Sequence, residues 1–180
     1  VIQPSFERPV SWWRGDDVLD VADLVGYFHK AGAGAQAGRV LDLGCGKGLS
    51  SIFLAREYNV QVWATDLWID ATENLRRFAD AGLADRVFPL HCDARALPYS
   101  EEFFDAIVCI DSYIYFGTDD LYLNYIHRFV KPGGRIGITV PGFMDEIDGP
   151  LPEHIRPFWA QECWTWHTPG WWQRLWSRTG

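Results

Sequence analysis

The chain is poor in positive charge. Its 180 residues hold 16 Lys and Arg against 24 Asp and Glu, a net charge of −8. A nucleic-acid surface needs a basic stripe, and Arg76-Arg77 is the one adjacent basic pair. No nucleic-acid partner is expected. No apolar run nears the ~20 residues that a bilayer-spanning helix needs. No signal peptide heads the sequence, so no membrane partner is expected and the cytoplasm is the expected location. Cysteine is sparse: Cys45, Cys92, Cys109 and Cys163 lie far apart, with no C-x-x-C pair. That spacing argues against a metal site or a disulfide framework. Cys45 and Cys109 read as small buried apolar residues at strand positions.

What is present is a core. Hydrophobic residues make up 48% of the chain, which suits one globular domain. Apolar, β-branched runs predict strands at Arg39–Leu43, Val60–Thr65, Arg86–His91, Phe104–Ile110 and Arg135–Val140. Helical patterns lie between them, near Leu49–Tyr58, Asp70–Ala81 and Asp119–Val130. Such alternation predicts right-handed βαβ units and an α/β, Rossmann-like, doubly wound, mostly parallel sheet with helices on both faces. The nearly continuous apolar strands fit that burial. Residues 1–38 read as a helical cap (Asp16–Lys30) and a Gly/Ala linker, 39–141 as the core, and 142–180 as a Trp-rich lid and helix, in one domain overall.

Ligands in such sheets bind beyond the carboxyl ends of the strands. After the first strand comes Asp42-Leu43-Gly44-Cys45-Gly46-Lys47-Gly48. Glycines at 44 and 46 permit a sharp turn and a bare backbone for a ligand. The following helix points free N–H groups at the same place and suits a carboxylate. Asp42 can balance a cation. The spacing is G-x-G-x-G, with Leu49 where the last glycine of the dinucleotide fingerprint G-x-G-x-x-G would stand. After the second strand Asp66, 18 residues beyond Gly48, can accept both hydroxyls of a ribose. A nicotinamide enzyme would carry an acid there too.

The run D-L-G-C-G-K-G resembles motif I of the class I S-adenosylmethionine-dependent methyltransferases. The likeness runs from Gly38 to Pro141 and includes Asp66, His91-Cys92-Asp93-Ala94, Leu97–Asp105, Asp111–Phe116 and Leu-like Val130-Lys131-Pro132-Gly133-Gly134. It implies S-adenosylmethionine as cofactor and a methyl transfer to a small-molecule acceptor. Asp42, Gly44 and Gly46 would hold the methionine part, with Cys45 also on the cofactor, Asp66 the ribose, Leu67 the adenine face, and Asp93 with Ala94 the adenine edge. Asp111 would border cofactor and acceptor, and Asp111 and Tyr113 are the candidate catalytic residues, with Tyr115 helping to shape the pocket. The chain lacks the N/D-P-P-Y/F sequence of enzymes that methylate nucleic-acid bases. The alternative is a protein that binds S-adenosylmethionine or a nucleoside without catalysis. Family members usually add an antiparallel pair of strands after the helix expected at about Trp171–Arg178, and none is evident here.

The last quarter carries Trp159, Trp164, Trp166, Trp171, Trp172 and Trp176, with His154 and His167 among them. These rings read as an acceptor pocket suited to a cation or as packing of a lid. The Pro- and Gly-containing loop 141–157 reads as mobile, with Asp145, Glu146, Asp148 and Glu153 solvated.

Overall fold

The computed structural model describes residues 38–178, so the expected helix at Asp16–Lys30 lies outside the described residues. Five strands are present: β1 (Arg39–Leu43), β2 (Gln61–Asp66), β3 (Val87–His91), β4 (Phe104–Ile110) and β5 (Val130–Thr139). They form one sheet in the order β3-β2-β1-β4-β5, and every neighbouring pair is parallel. The helices α1 (Leu49–Glu57), α2 (Ala71–Asp80) and α3 (Tyr122–His127) make crossovers, and α4 (Pro169–Trp176) follows the sheet. The α/β sheet expected from the alternation is the one observed, with β1 and β4 at the expected bounds.

Period-two alternation divides the apolar residues between the two faces. Val40 and Val62 pack with Leu54 of α1 and Phe78 of α2 on one side. Leu41, Leu43, Ile107 and Cys109 pack on the other side with Tyr113, Ile126 and Trp172. Both faces are covered, as a parallel sheet requires.

β5 departs from expectation. A helical pattern ending near Val130 and a strand opening at Arg135 leave Lys-Pro-Gly-Gly as a turn between them. Instead the strand opens at Val130, paired with Phe104, and resumes register at Ala106 opposite Arg135. Lys131–Gly134 therefore forms an irregularity inside the strand, with Gly133 at φ +79°. Asp105 anchors this end: its carboxylate accepts from Lys131 Nζ at 2.7 Å and from the Arg39 amide at 2.7 Å. The α3 helix is shorter than its pattern because Asp119 Oδ1 takes the Leu121 amide in a turn before it. The last helix starts earlier than expected, since Thr168 Oγ1 caps the Trp171 amide and Pro169 fits the first helical position. The loop before it is held as well: Glu146 accepts from the Thr168 amide and hydroxyl at 2.8 and 2.7 Å and lies 3.1 Å from the His167 ring.

Candidate active site

The strand order reverses between β1 and β4, and a crevice is expected beyond their carboxyl ends. The loop after β1 faces it with three glycines at positive φ: Gly44 (+73°), Gly46 (+54°) and Gly48 (+78°). Their reasons differ. A Cβ on Gly44 would overlap the Ser112 side chain, and one on Gly48 would overlap the Phe78 ring, whereas one on Gly46 would meet no atom of the described residues within 4 Å. Gly44 and Gly48 are therefore small for packing, and Gly46 presents backbone to open space. Two amides of the loop, Gly44 and Cys45, donate to the Thr65 carbonyl at 2.8 and 3.1 Å, which ties it to β2.

Two carboxylates hold the loop from different sides. Asp42 is 1% exposed, and its Oδ2 accepts from the Ser50 and Ser51 hydroxyls at 2.6 and 2.5 Å. Burial raises its pKa, against the two hydroxyls that favour the charge. Asp66 closes the other side. Its Oδ2 accepts the Gly46 amide at 2.8 Å, and its Oδ1 accepts the Trp68 and Ile69 amides at 2.8 and 2.9 Å. Between them the Cys45 thiol is pushed far up by burial and by the Asp42 and Asp66 charges, so it stays protonated. From α2, buried Asn74 donates to the Gly46 carbonyl at 2.9 Å and is itself braced by Arg77 at 2.9 Å.

Across the crevice, β4 ends at Ile110 and Asp111 takes a left-handed backbone, φ +59°. That conformation is uncommon away from glycine and is best tolerated by Asn and Asp. It leaves the Asp111 side chain exposed, while its amide donates to the Thr139 carbonyl at 2.7 Å. Next, the Ser112 hydroxyl donates to the Leu43 carbonyl at 2.8 Å and sits 3.0 Å from the Cys109 sulfur. Ser112 thus joins the ends of β1 and β4 at the reversal point. Beyond β3, Asp93 Oδ1 accepts the Arg95 amide at 2.8 Å, and Ala94 is buried.

A family model described as a methyltransferase domain matches residues 40–134. The chain belongs to the methyltransferase domain family. It is of the class I, S-adenosylmethionine-dependent type. Methyltransferase GfsG of Streptomyces halstedii is 35% identical over 113 residues, 61% of this chain and 41% of that protein. The fatty-acid O-methyltransferase of Mycolicibacterium smegmatis is 32% identical over 111 residues, 59% of this chain and 39% of that protein. The chain thus spans about two fifths of the length of these curated relatives. The crystal structure of a SAM-dependent methyltransferase from Geobacter sulfurreducens with S-adenosyl-L-homocysteine shares the fold: TM-score 0.65, 22% identity, 91% of this chain and 65% of that one.

In this methyltransferase domain the sequence-selected residues fall into three groups. Gly44, Cys45, Gly46 and Asp66 meet in one loop cluster. Leu67, 48% exposed, leaves β2 beside it, and Asp93 and Ala94 leave β3, the next strand outward. Asp111 stands at the end of β4. Asp42 lies beneath the loop cluster, where both hydroxyls on its Oδ2 come from the first turn of α1. One expectation is corrected. Tyr113 is a core residue: it is 0% exposed and packs edge-on against Tyr122 and Trp172, with ring centroids 5.6 and 5.7 Å away. Burial drives its hydroxyl well above the ordinary phenol range, with the Trp176 indole beside it, which removes it from the acceptor side.

Sequence reasoning missed Asn74 and Ser112. Asn74 had a signal: it lies four residues before Phe78 on the core face of an amphipathic helix, where a polar side chain calls for a partner. Ser112 had none, since its partner Leu43 is 69 residues away. Among the described residues no group of three or more His, Cys, Asp and Glu could hold a metal ion, and no helix is long and apolar enough to cross a membrane.

The cluster fits an S-adenosylmethionine ligand. Gly46 leaves an opening that a side chain would fill, a carboxylate stands at the end of β2, and exposed apolar Leu67 follows it.

Proposed function

We propose that this domain binds S-adenosylmethionine in the Gly44–Asp66 cluster and directs its methyl group to a small-molecule acceptor next to Asp111. The observation that carries the reading is Gly46: its φ favours glycine, and no atom of the described residues stands within 4 Å of a Cβ built there. Bound S-adenosylmethionine supplies an electrophilic methyl on a sulfonium. The loop backbone at Gly44–Gly46 borders the methionine part, and Asp42 supports that loop from beneath. Asp66 meets the ribose, with the Trp68 and Ile69 amides keeping its carboxylate turned toward Gly46. Leu67 covers one adenine face, and Asp93 with the Ala94 backbone reads its edge. Asp111 accepts a proton from the acceptor or orients it. Such a site works by proximity and alignment of the two reactants. The acidic chain and the curated small-molecule relative favour a small acceptor over nucleic acid.

Isothermal titration with S-adenosylhomocysteine, and with NAD as control, tests the cofactor. Binding of the first alone supports the reading, and binding of NAD alone or of neither overturns it. A panel of small amines, phenols, thiols and carboxylic acids with labelled S-adenosylmethionine then tests transfer. Asp111→Asn keeps the left-handed backbone and removes the base, so a rate loss of roughly 10²–10⁴-fold marks general-base work.

A further inference from the structure

Three elements converge above the crevice in a contact that the cofactor roles leave unexplained. Trp68, two residues beyond β2, is 71% exposed. Tyr115, in the turn Tyr113–Tyr115 after β4, is 39% exposed. Their rings nevertheless meet edge to face, with centroids 4.8 Å apart and planes at 69°. β1 lies between β2 and β4 in the sheet, so this contact crosses the carboxyl end of β1, where Gly44–Gly48 lies. A third link arrives from β3. Arg95 Nη2 donates to the Tyr115 carbonyl at 2.7 Å, while its amide is held by Asp93 Oδ1 at 2.8 Å and its Nη1 lies 3.8 Å from the same oxygen. Two large exposed rings gain little from folding alone, because most of their surface stays in water.

We propose that Trp68 and Tyr115 form a two-ring roof over the cofactor crevice, and that Arg95 is the positioning residue that holds the Tyr115 half in place. The inference rests on the cofactor reading above. A ligand lying on the glycine loop between Asp66 and Asp111 passes under the ring pair, and its departure requires the rings to part. Aromatic faces also favour a cationic ligand such as a sulfonium. The Arg95 link runs from the turn assigned to adenine to the turn beside the acceptor, so a shift in one is felt in the other.

Surface plasmon resonance of S-adenosylhomocysteine on the immobilised full chain measures this. Trp68→Ala and Tyr115→Ala are each expected to speed release about three- to tenfold, the loss that breaking one aromatic pair brings. The double variant should release no faster than the quicker single one, because either substitution already breaks the pair. Arg95→Ala should speed release in the native background and add nothing to Tyr115→Ala. Melting temperatures report folding independently, and both rings are exposed enough to leave them near native. Release within twofold of native in the single variants overturns the roof, as does a double variant equal to the product of the singles. Failure of the native chain to bind S-adenosylhomocysteine overturns the cofactor reading and the roof together; native binding with indifferent variants overturns the roof alone.

Discussion

Gly44 and Ser112 share one volume: the space a Cβ on Gly44 would take is filled by the Ser112 side chain, whose hydroxyl holds the Leu43 carbonyl at 2.8 Å. The glycine of the β1 loop and the serine of the β4 loop thus depend on each other. Overpacking a well-filled site costs about 1–3 kcal/mol, and alanine at φ +73° adds backbone strain. Gly44→Ala should therefore lower the melting temperature, by roughly 2–4 °C for each kcal/mol in a chain of this size. Ser112→Gly in the same chain should restore part of the loss. A melting curve unmoved by Gly44→Ala contradicts the shared volume.

Gly46→Ala is the contrasting variant. Among the described residues nothing stands within 4 Å of its added Cβ, so the backbone strain is the effect expected on stability. The methyl instead enters the proposed ligand space. Calorimetry should show S-adenosylhomocysteine affinity falling further than that of Gly44→Ala while the melting temperature falls less. The reverse order of affinities removes Gly46 from the ligand surface.

Asp66 accepts three backbone amides, so an alanine there disturbs the loop as well as the ligand. Asp66→Asn keeps an acceptor for Trp68 and Ile69 but turns a donor toward the Gly46 amide. Hydrogen bonds to charged groups contribute about 1.5–3 kcal/mol. The expected weakening of S-adenosylhomocysteine is thus roughly 10- to 100-fold. Native affinity in a folded Asp66→Asn protein refutes the ribose assignment.

The thiols separate by environment. Burial pushes Cys109 up to about 12, against the Ser112 hydrogen bond, and drives Cys45 higher still. Cys163 is buried too, while Cys92 is part-exposed. Burial and the Asp93 charge also raise Cys92, so its reaction should be slow and should quicken with pH. Iodoacetamide labelling followed by peptide mass analysis should mark Cys92 first, since the thiolate is the nucleophile. Earlier labelling of Cys45 or Cys109 would mean that the sheet opens at its carboxyl end.

The Glu146 node gives a pH dependence. Burial pushes its carboxyl up, but the Thr168 hydroxyl and amide and the His167 ring outweigh that and hold it below its ordinary value. A carboxyl lower in the folded state adds stability that is present above the unfolded pKa of about 4.3 and is lost as pH falls through the folded value. Urea midpoints taken from pH 7 down to pH 3 should fall less steeply for Glu146→Gln than for the native chain over the acid part of that range. Parallel curves would show that the loop 141–157 is held by other contacts.

Much of the fold was legible because its signals are local. The runs at 39–43 and 104–110 are apolar and β-branched, and the glycine loop between strand and helix announces itself by backbone need. The start of β5 was not legible, because Val130 joins the strand through its pairing with Phe104 rather than through any propensity of Lys-Pro-Gly-Gly. The same limit met the aromatics after β4. Tyr113 and Tyr115 are two residues apart and chemically alike, yet one is wholly buried and the other exposed. The short helical turn that divides them packs against the distant segment Gln161–Thr165.

The amino-acid sequence by itself determined the α/β architecture, the methyltransferase family and the glycine loop between β1 and α1, since alternation, turn chemistry and glycine spacing act over a few residues. Only the tertiary structure decided which donors each buried acid finds. Asp42 and Asp66 are both buried in adjacent parallel strands, and one binds the hydroxyls of α1 while the other binds the amides of the crevice. That difference arises because a carboxylate taken out of water must find its donors in neighbouring segments, and those neighbours exist only once the strands are assembled.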